Sequence, residues 1–372
     1  MGTDHEPAKT TLSRNARGKL SRSVINKTIP SVLRADVRAR HGVEAAELIV
    51  DPAASPSSSS KSRRKGQQDG LSEQPDGSEG ASQPSIFLTK SDTLLAAHNL
   101  HVQNATLPHH RRPRIAVLNM ASPLRPGGGV LSGATSQEES LCRRTTLYPS
   151  LRDEFYRLPE VGGVYTPDVV VFNAGHRRRR NSSARDRDGS EDEDEDVSEG
   201  EEESVKADPR KDWFHVDVIT AAMLRFPDVV AQGDDGEIEN VYAIQSDREM
   251  AVRKMRAVMR ILKAKGIGQI VLGAWGCGAY GNPVGEIARA WRKVLLGGET
   301  SGDGKKGKKP AEKIETFGDV EVIFAIKDGK MAEAFAREFG DGLEVLSDEP
   351  SVDGDSSDRE SVDAHDGEDG RG

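Results

Sequence analysis

The chain has 372 residues, 35% hydrophobic and 30% charged, which is too long for one small domain and too polar for all of it to be packed core. Its net charge of −9 is not an even acidity: ten carboxylates and no basic residue lie between Glu191 and Glu203, so the folded part is close to neutral. Two cysteines, Cys142 and Cys277, give neither a disulfide framework nor metal-ligand spacing, no run of about 18 apolar residues suggests a spanning helix, and the polar N-terminus shows no secretory h-region. The expectation is a soluble intracellular protein, nuclear and/or cytoplasmic, acting as a monomer without membrane contact.

Residues 1–11 read as disordered. Over residues 12–50 the apolar positions Val24, Ile25, Ile29, Val32 and Leu33 predict a helical segment interrupted at Pro30. Residues 51–85 are rich in serine, glycine, glutamine and proline and read as a disordered linker; its basic cluster at 61–65 is either a solvated tract or a nuclear address. The folded core starts at Ile86, with a short helix over 92–100, a strand over 115–119 and another over 168–172.

Residues 176–211 pair an arginine block with an acidic run and hold very few apolar residues, so they read as a disordered insertion. The acidic block competes for the arginines and no aromatics are interleaved, so no direct DNA or RNA binding is expected there. Strands follow at 213–220 and 240–244. The clearest helix spans 246–265, with a Ser246/Glu249 capping box, an apolar stripe from Ala251 to Leu262 and Gly266 as its stop. A strand at 269–275, a helix at 284–295, a strand at 320–326 and a helix at 331–339 complete the core, and 341–372 reads as an acidic disordered tail. The strand–helix–strand–helix–strand order from residue 240 predicts parallel pairing, with any ligand at the carboxyl ends of the strands.

Two glycine loops directly follow strands. The stretch VLNMASPLRPGGGVLSGATSQEESLCRRTTLYPSL, residues 117–151, holds Gly127, Gly128 and Gly129, then Gln137, Glu138 and Glu139. Bare backbone in a strand-to-loop turn suits an anion such as phosphate, and paired carboxyl groups nearby suit proton transfer. The same residues also fit a Ser136/Glu139 capping box, with both glutamates favoured in a first helical turn. The two readings are compatible.

The second loop, Gly276 to Gly281, formally matches a dinucleotide fingerprint. It lacks an acidic residue at the right distance, and Asn282 and Pro283 interrupt the entry to the helix. A tight turn and a second phosphate-binding loop remain. Tyr280 in that loop could stack on a base or ribose or simply be packed. Cys277 reads as a structural thiol; a nucleophile would need a base such as His215 beside it. The nine histidines show no metal-binding spacing.

The triple glycine followed by the QEE triplet, together with VLGAWGCGAYGNPVGEIARAW further on, closely resembles the microbial-type poly(ADP-ribose) glycohydrolase family. The resemblance covers about residues 12–48 and 86–340. It implies a macrodomain-like three-layer α/β/α fold with a mixed, partly parallel sheet, the catalytic domain at 86–340, and an N-terminal helical accessory segment. The implied reaction is hydrolysis of the ribose–ribose O-glycosidic bond of poly(ADP-ribose) on ADP-ribosylated proteins, with no cofactor and no metal. By position, Glu139 would be the acid/base, Glu138 would hold ribose hydroxyls, and Gln137 would position the pair. Gly127, Gly128, Gly129, Gly276, Cys277 and Gly278 would lie along the diphosphate. Tyr280 would orient ribose and adenine, and Asn119 and Ser122 would face the site from the strand end. A non-catalytic ADP-ribose-binding module and a charged recruiting scaffold are the alternatives. Retention of both glutamates favours the hydrolase.

Overall fold

A computed structural model of the chain describes residues 12–54, 83–175, 209–233, 238–297, 315 and 317–346. The expectations for 1–11, the bulk of 51–85 and of 176–211, and the tail from 347 fall on residues outside that set.

The N-terminal segment starts with α1 (Arg14–Ser23), capped by the Ser13 hydroxyl, which accepts from the Ala16 N–H. One π-helical turn (Val24–Thr28) leads into α2 (Ile29–Ala35). Pro30 does not interrupt the helix. It falls in the first turn of α2, and the wider π turn before it leaves room for a ring that clashes inside a regular helix. α3 (Val37–Glu44) starts on an Asp36 cap. Residues Glu47–Val50 then form β1, an edge strand pairing antiparallel with the strand at Gly162–Val171. Its four residues are mostly exposed, too short and too wet to show alternation in the sequence.

The core continues with β2 (Ser85–Thr89), α4 (Thr93–Ala105), β3 (Ile115–Met120), α5 (Gln137–Arg144), β4 (Gly162–Val171), β5 (Phe214–Ala221), β6 (Val229–Gln232), β7 (Glu239–Tyr242) and α6 (Gln245–Ala264). It ends with β8 (Gln269–Leu272), α7 (Val284–Leu295), β9 (Glu321–Ala325), α8 (Gly329–Phe339) and β10 (Glu344–Val345), the last pairing with β2 just beyond residue 340. Eight strands form one sheet in the order β1-β4-β5-β3-β8-β9-β2-β10. In that order β5, β3, β8, β9, β2 and β10 are mutually parallel, and at one edge β4 pairs antiparallel with both β5 and β1.

The layers follow from strand alternation. Ile115, Val117, Val216, Val218 and Val271 point to the face covered by Leu94, Leu100 and Leu141 of α4 and α5. Ala116, Leu118, Ile219, Ile270 and Leu272 point to the other face, against Met255, Val258 and Leu262 of α6, Trp291 of α7 and Phe335 of α8. The fold is a mixed three-layer α/β/α arrangement. Burying each such Leu, Val or Met side chain contributes about 1.5–3 kcal/mol, so both faces need their helices.

Two local expectations are corrected. The strand at 240–244 does not enter the main sheet; β7 pairs with β6 in a separate two-stranded hairpin, so the parallel run is built on β5, β3, β8 and β9. The Ser246/Glu249 box is not formed either. The helix begins one residue earlier, with Ile244 as N-cap, so Ser246 lies inside the first turn and Glu249 bonds Gln245 instead. The topology still delivers what a site needs: the carboxyl ends of β5, β3, β8, β9 and β2 share one rim.

Candidate active site

The first wall of the site grows out of β3. Past Met120 the chain turns through Gly127 and Gly128, whose φ values of +62° and +55° are left-handed and natural to glycine. Space requires glycine here as well. A Cβ on Gly127 would meet the Tyr148 ring at 2.8 Å, and one on Gly128 would lie between Glu138 and Glu139. The N–H groups of this loop are engaged within the protein. Gly127 bonds to Glu138, Gly128 donates to the Arg125 carbonyl at 3.3 Å, and Gly129 donates to Glu139 Oε1 at 2.7 Å. Expected to offer bare N–H groups to phosphate, the triple glycine spends two of them on carboxyl groups.

α5 carries those carboxyl groups. Ser136 is its N-cap but makes no side-chain bond to the helix N–H groups; its hydroxyl donates to Glu139 Oε2 instead. The Ser136/Glu139 capping box is therefore not formed, because the loop competes successfully for Glu139. Gln137 clamps the helix to β3: its Oε1 accepts the Met120 N–H at 2.9 Å and its Nε2 donates to the Leu118 carbonyl at 2.7 Å. Those bonds fix the start of α5 against the end of β3.

Glu138 and Glu139 are 2% and 4% exposed. Burial pushes the Glu138 carboxyl up to about 8, opposed by the Ser122 N–H that donates to its Oε2 at 2.8 Å and assisted by the neighbouring Glu139. Its Oε1 has no partner, and neither has Oδ1 of Asn119, which is within bonding reach of the carboxyl and whose Nδ2 donates to Thr220 at 3.2 Å. With a pKa of about 8, the Glu138 carboxyl is largely protonated at neutral pH.

The second wall follows β8. Gly276 adopts φ +82°, and the Asn282 amide holds the loop by donating to the Gly276 and Leu224 carbonyls at 3.0 and 2.8 Å while accepting from the Tyr242 hydroxyl at 2.7 Å. The amides of Gly278 and Ala279 have no acceptor among the described residues, and both residues line the cleft. Free N–H groups for an anion thus lie in this loop rather than at 127–129. The Tyr280 hydroxyl lies within bonding reach of Ser122, which ties the second wall to Glu138.

Between the walls is a cleft of about 880 Å³, lined among others by Ser122, Gly128, Gly129, Gln137, Glu138, Glu139, Gly276, Gly278 and Tyr280. Both glycine loops therefore meet at one rim. Asn119, Gly127 and Cys277 stand behind the lining. Burial pushes the Cys277 thiol up to about 12, and His215, at the start of β5 and away from the rim, faces Asp36 at 3.0 Å, so no Cys–His pair exists. Sequence reasoning missed Asp92, Arg144, Arg225, Lys327 and Asp328 in the lining. Asp92 and Asp328 are also helix caps, accepting from Leu94 at 3.0 Å and Met331 at 2.8 Å.

Residues 58–174 match the family described as microbial-type PARG, catalytic domain. Among solved structures, poly(ADP-ribose) glycohydrolase from Thermomonospora curvata is similar at 21% identity over 86% of this chain and 99% of its own, with a TM-score of 0.50, which shows a shared fold. The same enzyme bound to the inhibitor ADP-HPD aligns at 21% identity over 86% and 99%, with a TM-score of 0.49. Poly(ADP-ribose) glycohydrolase from Deinococcus radiodurans in complex with ADP-ribose aligns at 22% identity over 70% and 85%, with a TM-score of 0.42. No curated protein matches the chain.

Proposed function

We propose that this chain, which carries the microbial-type PARG catalytic domain over residues 58–174, hydrolyses the ribose–ribose O-glycosidic bond of poly(ADP-ribose). The observation that carries the reading is the pair Glu138 and Glu139, drawn away from capping duty and held by the glycine loop at the wall of a cleft. A carboxyl group at the scissile oxygen, with a second one on the sugar hydroxyls, suits an oxocarbenium-like transition state. The cleft volume suits one nucleotide-sized ligand.

The terminal ADP-ribose lies with its diphosphate across Gly128–Gly129 and the free amides of Gly278 and Ala279. Glu139, oriented by Gly129 and Ser136, delivers a proton to the departing ribose oxygen as the bond to the anomeric carbon breaks. The same carboxylate then takes a proton from the water that adds to that carbon, releasing ADP-ribose and a shortened chain. Glu138 holds the ribose hydroxyls, Asn119 and Ser122 fix Glu138, and Gln137 fixes the helix. Tyr280 orients the sugar and base. No step uses a metal or cofactor. The substrates are poly(ADP-ribose) and ADP-ribosylated proteins inside the cell, in nucleus and/or cytoplasm, and the chain acts as a monomer. No helix among the described residues is long and apolar enough to cross a membrane.

The test is Glu139→Gln, assayed for release of ADP-ribose from automodified protein. A positioned acid/base contributes about 10²–10⁴-fold, so turnover should fall by at least that much while calorimetric affinity for ADP-ribose stays within several-fold. Unchanged turnover removes Glu139 from the mechanism.

A further inference from the structure

Two residues beside the cleft are unexplained by this chemistry. After β5 the chain passes through Arg225 and Phe226 before β6. Phe226 holds φ +53°, a backbone conformation that a bulky side chain rarely adopts and that persists only where the surroundings impose it. What imposes it is Tyr280: the Phe226 N–H donates to the Tyr280 carbonyl at 3.0 Å, and the two rings meet edge to face at 6.1 Å. The cost is not offset by burial, because Phe226 is 63% exposed. Arg225 lines the cleft, and its guanidinium lies 5.0 Å over the Phe226 ring. No carboxylate pairs with Arg225 among the described residues.

Sheet order gives the pair a direction. Along the rim, β2 and β9 bring Asp92 and Lys327 to one end of the cleft, β3 and β8 bring the glutamates and glycine loops to the middle, and β5 brings Arg225 and Phe226 to the far end. An ADP-ribose unit that fills the β2–β9 end and places its sugar at Glu139 has its leaving group on the β5 side. In poly(ADP-ribose) that leaving group is the 2′-oxygen of an adenosine bearing a diphosphate, so a flat purine and an anion depart together.

We propose that Arg225 and Phe226 form a leaving-group subsite, with the adenine of the departing unit stacked on Phe226 and its diphosphate paired with Arg225. An exposed aromatic ring beside a cation is the general means of holding a base and its phosphate without reading sequence. The assignment rests on the glycohydrolase reading and adds a polymer-specific contact to it.

The test compares two substrates on the full chain: poly(ADP-ribose), and an ADP-ribose glycoside with the same scissile ribose–oxygen bond but plain ribose as leaving group. Phe226→Gly relieves the left-handed strain, and Arg225→Gln leaves the backbone alone, so loss of fold is not the common cause of any effect. Both variants should lose about tenfold in kcat/KM on the polymer, mainly through KM, and stay within twofold of wild type on the plain glycoside and in ADP-ribose affinity. Phe226→Tyr should restore polymer cleavage. Equal losses on both substrates would assign the pair to holding Tyr280, and no loss on polymer would remove the subsite; either overturns it while leaving the hydrolase intact. A wild-type chain that cleaves neither substrate overturns the hydrolase reading, and the subsite with it.

Discussion

The N–H of Gly129 donates to Glu139 Oε1 at 2.7 Å across ten residues of chain. That bond makes the glycine loop and the acid one mechanical unit. The loop sets where the carboxyl group points, and the carboxyl group occupies an N–H that would otherwise face the cleft. A side chain added at Gly128 is therefore felt first at the glutamates.

Gly128→Ala tests this coupling. A Cβ there would lie 2.6 Å from Glu138 Oε2 and 2.8 Å from Glu139 Oε1, on a backbone with φ +55°, so both carboxyl groups must move. Displacing a reacting group by about 1 Å can cost about 10²-fold in rate, which is the expected loss in kcat. The left-handed strain should also lower stability by about 1–3 kcal/mol, measured by denaturant unfolding. Wild-type turnover in this variant would show that the glutamates are not held by the loop.

The protonated Glu138 makes stability depend on pH. Its native pKa of about 8 lies above the ordinary carboxylate value of 4.5, so the folded state keeps a proton that the unfolded chain releases. The contribution is fully present below pH 4.5 and is lost as pH rises through 8. Glu138→Gln mimics the protonated form and should flatten this slope. The unfolding free energy of the variant should gain on wild type progressively between those two pH values, by a few kcal/mol at most, on the order expected for one carboxyl group. Parallel melting curves across that window would show that Glu138 is ionised in the native state.

The helices from residue 246 on, the strands at 115, 214 and 321, and the meeting of the two glycine loops were legible because each rests on short-range signals: apolar period, glycine stops and loops that directly follow strands. Tertiary competition hid the rest. Ser136 and Glu139 have the spacing of a capping box, but Gly129 and Ser136 take the carboxylate instead. β1 is only four residues directly behind a helical segment and β10 only two, so neither is long enough to show a strand period of its own. The strand near 240 has the right composition for the core sheet, yet it pairs with β6 because β3 already occupies the place beside β5. Arg225 and Phe226 lie in a loop without periodicity, and only coordinates reveal the left-handed turn that aims them at Tyr280.

Neither thiol should behave as a nucleophile. Burial pushes Cys142 well above its ordinary value and Cys277 up to about 12. At pH 7.5 iodoacetamide should leave both unmodified on a timescale that fully labels the unfolded chain, as read by intact mass. Rapid single labelling of the native protein would reopen a reactive role for Cys277.

The N-terminal segment braces the site from outside the sheet. Arg14, Arg17 and Arg22 donate to the carbonyls of Ser132, Gly133 and Leu131 at 3.1, 2.9 and 2.6 Å, so α1 grips the turn that joins the glycine loop to α5. Glycine on both sides permits the approach: a Cβ on Gly18 would lie 3.0 Å from the Leu131 carbonyl, and one on Gly133 2.1 Å from the Arg14 carbonyl. Each charge-assisted bond contributes about 1.5–3 kcal/mol at best, and less where exposed, so Arg17→Ala should cost about 1 kcal/mol of stability. Its larger effect should be kinetic. With the turn loosened, Glu139 loses a fixed orientation while the second loop and its free amides are untouched, so kcat should fall several-fold with KM for polymer little changed. Gly18→Val, which pushes the whole helix off the turn, should deepen the same kcat defect to about 10²-fold, the scale of a misplaced catalytic group. If instead KM rises and kcat holds in both variants, α1 contacts the polymer directly and the brace is not its role.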